Sequence, residues 1–370
     1  MTPVAYCTNV HPAEDLDGVL AQLDRYAVRV RENLGVDTLA LGLWLSEPVA
    51  RGLAEDVAAR RGLAAELRAR GLEVSTLNAF PYGGFHDEVV KHSVYVPRWT
   101  DPRRLSYTMA CATVLADLLP DTAAYGSIST LPLGWREPWT SDDDAQARAA
   151  FDVVARLLRA QAARDGRPIR LAVEPEPGCV LDTVADAVGW LADRVDHDHV
   201  GICLDTCHLA VSFADPVDAV NTIRASGLKI VKVQASAALE VAEPGTEEAR
   251  RALAAFAEPR YLHQVRENAP TGVLAADDLP EALADLPAEN PWRVHFHVPL
   301  HARPAAPLRS TTDVLSSAVA AVRSIADVMP HVEVETYTWT VLPEPVDDLA
   351  EGIAAELRWA ADHLVNGVVA

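Results

Sequence analysis

A parallel (β/α)8 barrel, an α/β fold, is what this sequence predicts, and three observations carry the expectation. Apolar runs rich in Val, Ile and Leu recur along the chain and read as buried parallel strands. Between them lie longer stretches with apolar residues at three- and four-residue steps, the pattern of amphipathic helices. Strand-then-helix repetition gives a parallel sheet, and right-handed crossovers close it into a barrel. The third observation is chemical. Leu171–Val173 runs into Glu174, Val200–Leu204 into Asp205, and His331–Val334 into Glu335. An unpaired buried carboxylate is costly, so acids at the C-terminal ends of three apolar strands are best explained by convergence on a cation. In a parallel barrel those ends share the face that carries the active site.

Taken in order, the strand candidates are Val4–Asn9, Thr38–Leu45, Glu73–Ala79, Ala124–Ser129, Ile169–Glu174, Val200–Asp205, Lys229–Gln234, Arg293–Pro299 and Val332–Thr336. The helix candidates are Leu16–Val30, Val57–Arg70, Arg103–Leu119, Asp142–Arg164, Thr183–Val195, Pro216–Ala225, Ser310–Ala326 and Asp347–Leu364. Nine strands for eight places leave one over. The stretch 235–300 is irregular, with an acidic helix at Thr246–Phe256, then Tyr261–Val265, then Asp277–Leu283. It reads as an elaborated loop between the seventh and eighth barrel strands, with Arg293–Pro299 outside the barrel register or capping its top. No repeat and no Gly- or Ser-rich linker divides the chain. Residues 1–370 are therefore expected to form one barrel domain with 235–300 as an insertion.

The 370 residues are 49% hydrophobic, enough for a large core, and carry a formal net charge of −21. That charge disfavours a nucleic-acid partner, whose affinity comes largely from basic surfaces. No uncharged apolar run is long enough to span a membrane, and Met1–Tyr6 lacks the basic-then-apolar form of a secretory signal. The five cysteines (Cys7, Cys111, Cys179, Cys203 and Cys207) read as free buried thiols of a cytoplasmic protein. No glycine-rich phosphate loop follows a strand, so a nucleotide cofactor is not indicated. The oligomeric state, including a homo-oligomer, stays open.

Period-two alternation gathers polar side chains near the strand ends. Glu174 pairs with Glu176, Lys232 with Gln234, His295 with His297, and Glu333 with Glu335, each pair on one face. Asp205 and His208, three apart where a strand turns into a helix, can face one pocket; equally, Asp205 can cap the helix. His295 and His297 read as metal ligands, substrate contacts or a buried structural pair. Lys232 faces the same mouth and reads as a substrate contact or as the ion-pair partner of Glu176 or Glu333. His86 follows Gly83-Gly84 and reads as a lid residue or an exposed loop histidine.

Leu204-Asp205-Thr206-Cys207-His208, preceded by an apolar strand ending in Glu174, resembles the xylose-isomerase-like TIM-barrel superfamily of sugar and sugar-phosphate isomerases, epimerases and endonuclease IV enzymes. The segments Tyr6–Pro12, Asn78–His86, Ser127–Thr130, Val173–Pro177, Tyr261–Val265, His295–Pro299 and Val334–Trp339 look, more narrowly, like the metabolite traffic TIM-barrel protein of the Ebo operon, associated with cyclitol-like metabolites. The resemblance implies one divalent ion held by Glu174, Asp205, Gln234 and Glu335. It also implies that Glu174 and Glu335 exchange protons with a substrate carbon and that His208 contacts substrate. Gln234 stands where many members carry His. Such an oxygen-rich set suits Mg²⁺ or Mn²⁺ better than Zn²⁺, and the ion would stabilise an enediolate by Lewis acidity. The expected activity is isomerisation or epimerisation of a sugar-like or cyclitol-like carbonyl compound, with His295, His297, His86, Lys232 and Glu176 around the polyol. The alternatives are a barrel that only binds and hands over a metabolite, and an endonuclease-IV-like phosphodiesterase. The third and fourth strands offer Asn78 and Ser127, Ser129 and Thr130 where endonuclease IV needs histidines, which disfavours the latter.

Overall fold

The computed structural model describes residues 4–364, so Met1–Pro3 of the N-terminal segment read above lie outside it. The first seven barrel strands are β1 Val4–Cys7, β2 Leu39–Trp44, β3 Leu72–Asn78, β4 Gly126–Thr130, β5 Ile169–Val173, β6 Val200–Asp205 and β7 Ile230–Ala235. Five short strands follow: β8 Leu239–Val241, β9 Val265–Ala269, β10 Gly272–Ala276, β11 Trp292–Val294 and β12 Leu308–Ser310. The last barrel strand is β13 His331–Val334. Strands β1 to β7 and β13 close in the order β1-β13-β7-β6-β5-β4-β3-β2, every pair parallel. This is the expected (β/α)8 TIM barrel. Its strands are buried almost throughout, as helices cover the outer face.

Two features of this closure position the mouth. Strands β5, β6, β7 and β13 are neighbours, so the acids after or at the end of β5, β6 and β13 are brought side by side. In the ladders, Gln234 is paired with Asp205 on one side and Glu333 on the other.

The elaboration before β13 is a sheet of its own, in the order β10-β9-β11-β8-β12, with every pair antiparallel. It takes its last strand from Leu308–Ser310, beyond residue 300. Of the predicted Arg293–Pro299 strand only Arg293 and Val294 are in a ladder, as the end of β11, and His295–Pro299 leaves it outside any strand. Buried Glu267 anchors the turn into β11 by accepting from the amides of Ala288, Glu289 and Asn290 and from Trp292 Nε1. The helix at Glu47–Glu55 also lacks a counterpart in the sequence reading. All five cysteines are free and buried. Among the described residues no helix is long and apolar enough to cross a membrane.

A charged pair fills the barrel interior beneath the mouth. Lys232 Nζ lies 2.5 Å from Glu333 Oε2, with both side chains fully buried. The ammonium also reaches Ser129 Oγ at 3.2 Å and Leu77 O at 3.4 Å. Glu333 fits because β2 carries glycine opposite it: a Cβ on Gly42 would lie 1.0 Å from Glu333 Oε1. Losing one partner of such a pair strands a buried charge, whereas replacing both by apolar groups can be nearly neutral. Lys232→Met is therefore expected to lower unfolding free energy by about 3–5 kcal/mol, and Lys232→Met with Glu333→Leu to restore most of it. Urea titration of the three proteins measures this. An unchanged midpoint for Lys232→Met alone would show that the pair does not carry the interior.

Candidate active site at the barrel mouth

Glu174, Asp205 and Glu335 converge: one oxygen from each lies within 4.8 Å of the others. All three side chains are buried, and each is held in a way that leaves an oxygen free. Asp205 Oδ1 accepts from His208 N at 2.8 Å and Ser236 Oγ at 2.9 Å. Asp205 thus caps the helix Thr206–Val211 while its Oδ2 has no hydrogen-bond partner. Glu335 Oε1 accepts from Asn9 Nδ2 at 2.7 Å and Asn78 Nδ2 at 2.8 Å. Glu174 Oε2 has no partner, nor has either amide atom of the fully buried Gln234. Buried polar atoms are ordinarily satisfied, and a cluster of orphaned carboxylate and amide oxygens is what a hard cation satisfies. The donor set therefore fits a divalent ion.

Burial pushes the Glu174 carboxyl well above the usual range, and the neighbouring Glu335 and Asp205 push it further, against the opposing pull of Lys232. Burial, then Asp205 and Glu333, raise Glu335 to about 8.

Above the acids lies a cavity of about 60 Å³ that opens to solvent. Asn9, Asn78, Glu174, Glu176, His208, His295, His297 and Glu335 form its polar side; Phe80, Phe85, Val90, Tyr261, Leu262 and Tyr337 face it from the apolar side. The roof joins the loop after β3 to the insertion. The amides of Val90 and Lys91 both donate to Arg260 O at 2.8 Å. Lys91 Nζ donates to Tyr261 O at 2.7 Å and pairs with Asp278 at 2.6 Å.

The structure thus brings Glu174, Asp205, Glu335, His208, Glu176, His295 and His297 to one mouth, with Gln234 beside Asp205. Glu176 Oε1 accepts from Tyr95 Oη at 2.7 Å, and burial raises its pKa to about 7. Lys232 does not line the cavity: it lies in the barrel interior on Glu333, the ion-pair reading of that residue. His86 does not line it either; its ring packs beside Trp44 and Phe85 and its Nε2 meets Asn9 O at 2.7 Å. Through that contact it buttresses Asn9. Asn9, Ser236, Tyr95 and Gln264, which fix the acids and histidines, had no role in the sequence reading. Asn9 and Asn78 carry a readable signal, since each sits where an apolar strand reaches the mouth.

An eight-stranded parallel barrel with an acid-lined C-terminal mouth defines the class of protein. Residues 28–285 match the family described as xylose isomerase-like TIM barrel, and the chain belongs to that family. Among solved structures, the chain resembles an L-ribulose 3-epimerase (TM-score 0.51, 16% identity, covering 97% of this chain and 92% of that one). It also resembles the IOLI protein with a binding zinc atom (TM-score 0.53, 12% identity, 100% of both chains). A third is a D-allulose 3-epimerase from Methylomonas sp. in complex with D-allulose (TM-score 0.50, 13% identity, 96% of both chains). At these identities the likeness is one of fold. No curated protein sequence matches the chain.

The raised carboxyl pKa values have a thermodynamic consequence. The folded protein holds the protons of Glu174 and Glu335 more tightly than the unfolded chain does, so without metal their contribution to stability falls as pH rises above the ordinary carboxylate range, for Glu335 up to about 8. Buried His11, His297 and His331 are lowered and act oppositely, but their effect is complete once pH passes the ordinary imidazole value of about 6.5. Chelator-treated protein should therefore lose thermal stability between pH 6.5 and 8, and added Mn²⁺ should raise Tm more at pH 8 than at pH 6.5. A Mn²⁺ gain equal at both pH values would contradict the shared acid cluster.

Proposed function

We propose that this protein is a divalent-metal-dependent isomerase or epimerase that moves a proton at a carbon beside a carbonyl in a sugar-like or cyclitol-like metabolite. The observation that carries the reading is the convergence of Glu174, Asp205 and Glu335, with buried unpartnered oxygens on Glu174 and Asp205, at the floor of a cavity open to solvent. Family membership and the epimerase neighbours support it, and the motifs quoted above favour the narrower placement with the Ebo-operon metabolite traffic barrels. We read the described chain as one domain elaborated before its last barrel strand.

Glu174, Asp205, Gln234 and Glu335 would hold the ion, and three carboxylates with an amide oxygen favour Mn²⁺ or Mg²⁺. When bound, the ion polarises carbonyl and hydroxyl oxygens of the substrate and acidifies the carbon next to them. Glu174 and Glu335 would then act as the proton acceptor and donor at the substrate carbon. Asn9 and Asn78 aim Glu335 by holding its Oε1. His208, with Nδ1 spent on Pro175 O at 2.9 Å, presents Nε2 to the substrate side together with Glu176, His295 and His297. Phe80, Phe85, Tyr261 and Tyr337 exclude water from the reacting face.

The test is exchange of solvent deuterium into a panel of ketoses and cyclitol ketones by Mn²⁺-loaded protein. Glu174→Gln and Glu335→Gln should each lower exchange by about 10²–10⁴-fold while thermal unfolding stays cooperative. Exchange at the parent rate in both variants would refute proton transfer by this pair. No exchange across the panel would favour a barrel that binds and hands over its metabolite.

A further inference from the structure

Two stretches of chain build one wall of the mouth without belonging to any strand: His295–Leu300, which leaves β11, and Glu335–Trp339, which leaves β13. They carry His297 and Glu335, so their backbone decides where both side chains point. No ladder fixes them there. They are bonded to each other instead, His297 Nδ1 facing Glu335 O at 2.7 Å and Thr338 Oγ1 donating to His297 O. On the β7 side, Val298 N donates to Ala237 O at 2.9 Å and Glu335 N to Ala235 O at 3.2 Å. What holds the two stretches from the outer layer is a single carboxylate.

We infer that Glu356, on the last helix Leu349–Leu364, is the positioning residue that sets both stretches, and through them Glu335 and His297, for metal binding and proton transfer. Its Oε1 accepts from Leu300 N at 2.9 Å and from Thr336 Oγ1 at 2.6 Å, one bond to each stretch. The Trp339 side chain donates to the same carboxylate. The helix can approach because Gly352 stands one turn before Glu356 on the same face. A Cβ there would lie 2.8 Å from the far edge of the Trp339 ring. The glycine seats the indole and the acid takes its N–H.

The chemistry of the position calls for an acid. Glu356 is buried, and burying a carboxylate is costly, so packing alone would be better served by Leu. Burial raises its pKa to about 7, and what opposes burial is hydrogen bonding from Thr336, Leu300 N and Trp339. All three partners are donors, and an ionised carboxylate only accepts. Gln would turn an NH₂ group on one of them. Glu356 does not line the cavity, so it acts on the site through Thr336 and Leu300.

This inference rests on the proposed function, and the experiment keeps the two apart. Mn²⁺ affinity is measured by calorimetry, and kcat and KM by solvent-deuterium exchange, on full-length parent, Glu356→Ala, Glu356→Gln, Thr336→Val and Leu357→Ala, each with urea unfolding. Glu356→Ala should weaken Mn²⁺ binding by about 10–100-fold and lower kcat more than it raises KM. Thr336→Val removes one bond of the three and should act in the same direction with a smaller effect. Glu356→Gln keeps an oxygen for Leu300 N and Thr336 Oγ1 and should recover most of the affinity. Leu357→Ala removes a fully buried side chain from the same helix; it should lower the urea midpoint but leave Mn²⁺ affinity and kcat at parent values. Parent-like affinity and kcat in both Glu356→Ala and Thr336→Val would overturn the inference. Equal losses in Leu357→Ala would overturn it too, by reducing Glu356 to helix packing. Where the parent binds Mn²⁺ without exchange, affinity alone decides; a parent that takes up no Mn²⁺ overturns the proposed function, and this inference with it.

Discussion

Repulsion among buried carboxylates is the constraint on which the mouth of this barrel depends. Glu174, Asp205 and Glu335 are fixed by their strands within a few ångströms of one another, where water cannot screen them. Three kinds of compensation surround them. Neutral donors from Asn9, Asn78, Ser236 and the His208 amide take one oxygen of Asp205 and one of Glu335. The fully buried ammonium of Lys232 lies one layer below and lowers the cost of ionising both glutamates. A divalent ion would supply the rest. Neutral donors orient the acids without cancelling their charge, which is why the proposed function gives that task to a cation.

The insertion is as much part of the site as the barrel is. A (β/α)8 barrel supplies groups from strand ends around a ring, which places them on a floor. Walls and roof must come from loops. Here the antiparallel sheet β8 to β12 directs His295 and His297 over the floor, while Tyr261 and Leu262, ahead of β9, close the side. Gln264 links these parts: it orients His295, meets Tyr95 of the loop after β3, and through Tyr95 reaches Glu176.

What was legible in the sequence follows from the range of each interaction. Barrel strands were readable because burial on both faces leaves continuous apolar runs, and the acids stood out because they interrupt that pattern. The inserted sheet was not readable: β8, β11 and β12 have three residues each, too few for a period to register. His295 and His297 were placed on one strand face, whereas they leave the ladder after Val294 and are aimed by Gln264 O, Gln264 Oε1 and Glu335 O. Lys232 and Gln234 alternate correctly, but neither lines the cavity: Lys232 lies on Glu333 in the interior and Gln234 beside Asp205; depth along a barrel strand is a property of closure, not of sequence spacing. The place of Asn9 at a strand end was readable, but its bond to Glu335 was not, because that partner lies 326 residues away.

That long-range bond ties assembly of the centre to completion of the fold. β1 and β13 are the first and last strands of the chain and neighbours in the barrel, and Asn9 and Glu335 sit just beyond their ends. A growing polypeptide can pair β1 through β7 and still have no site, because one carboxylate and its orienting amides meet only when the ring shuts. Under the proposed function, cation affinity would therefore report barrel closure, and a partly folded chain would not capture metal at a half-built mouth.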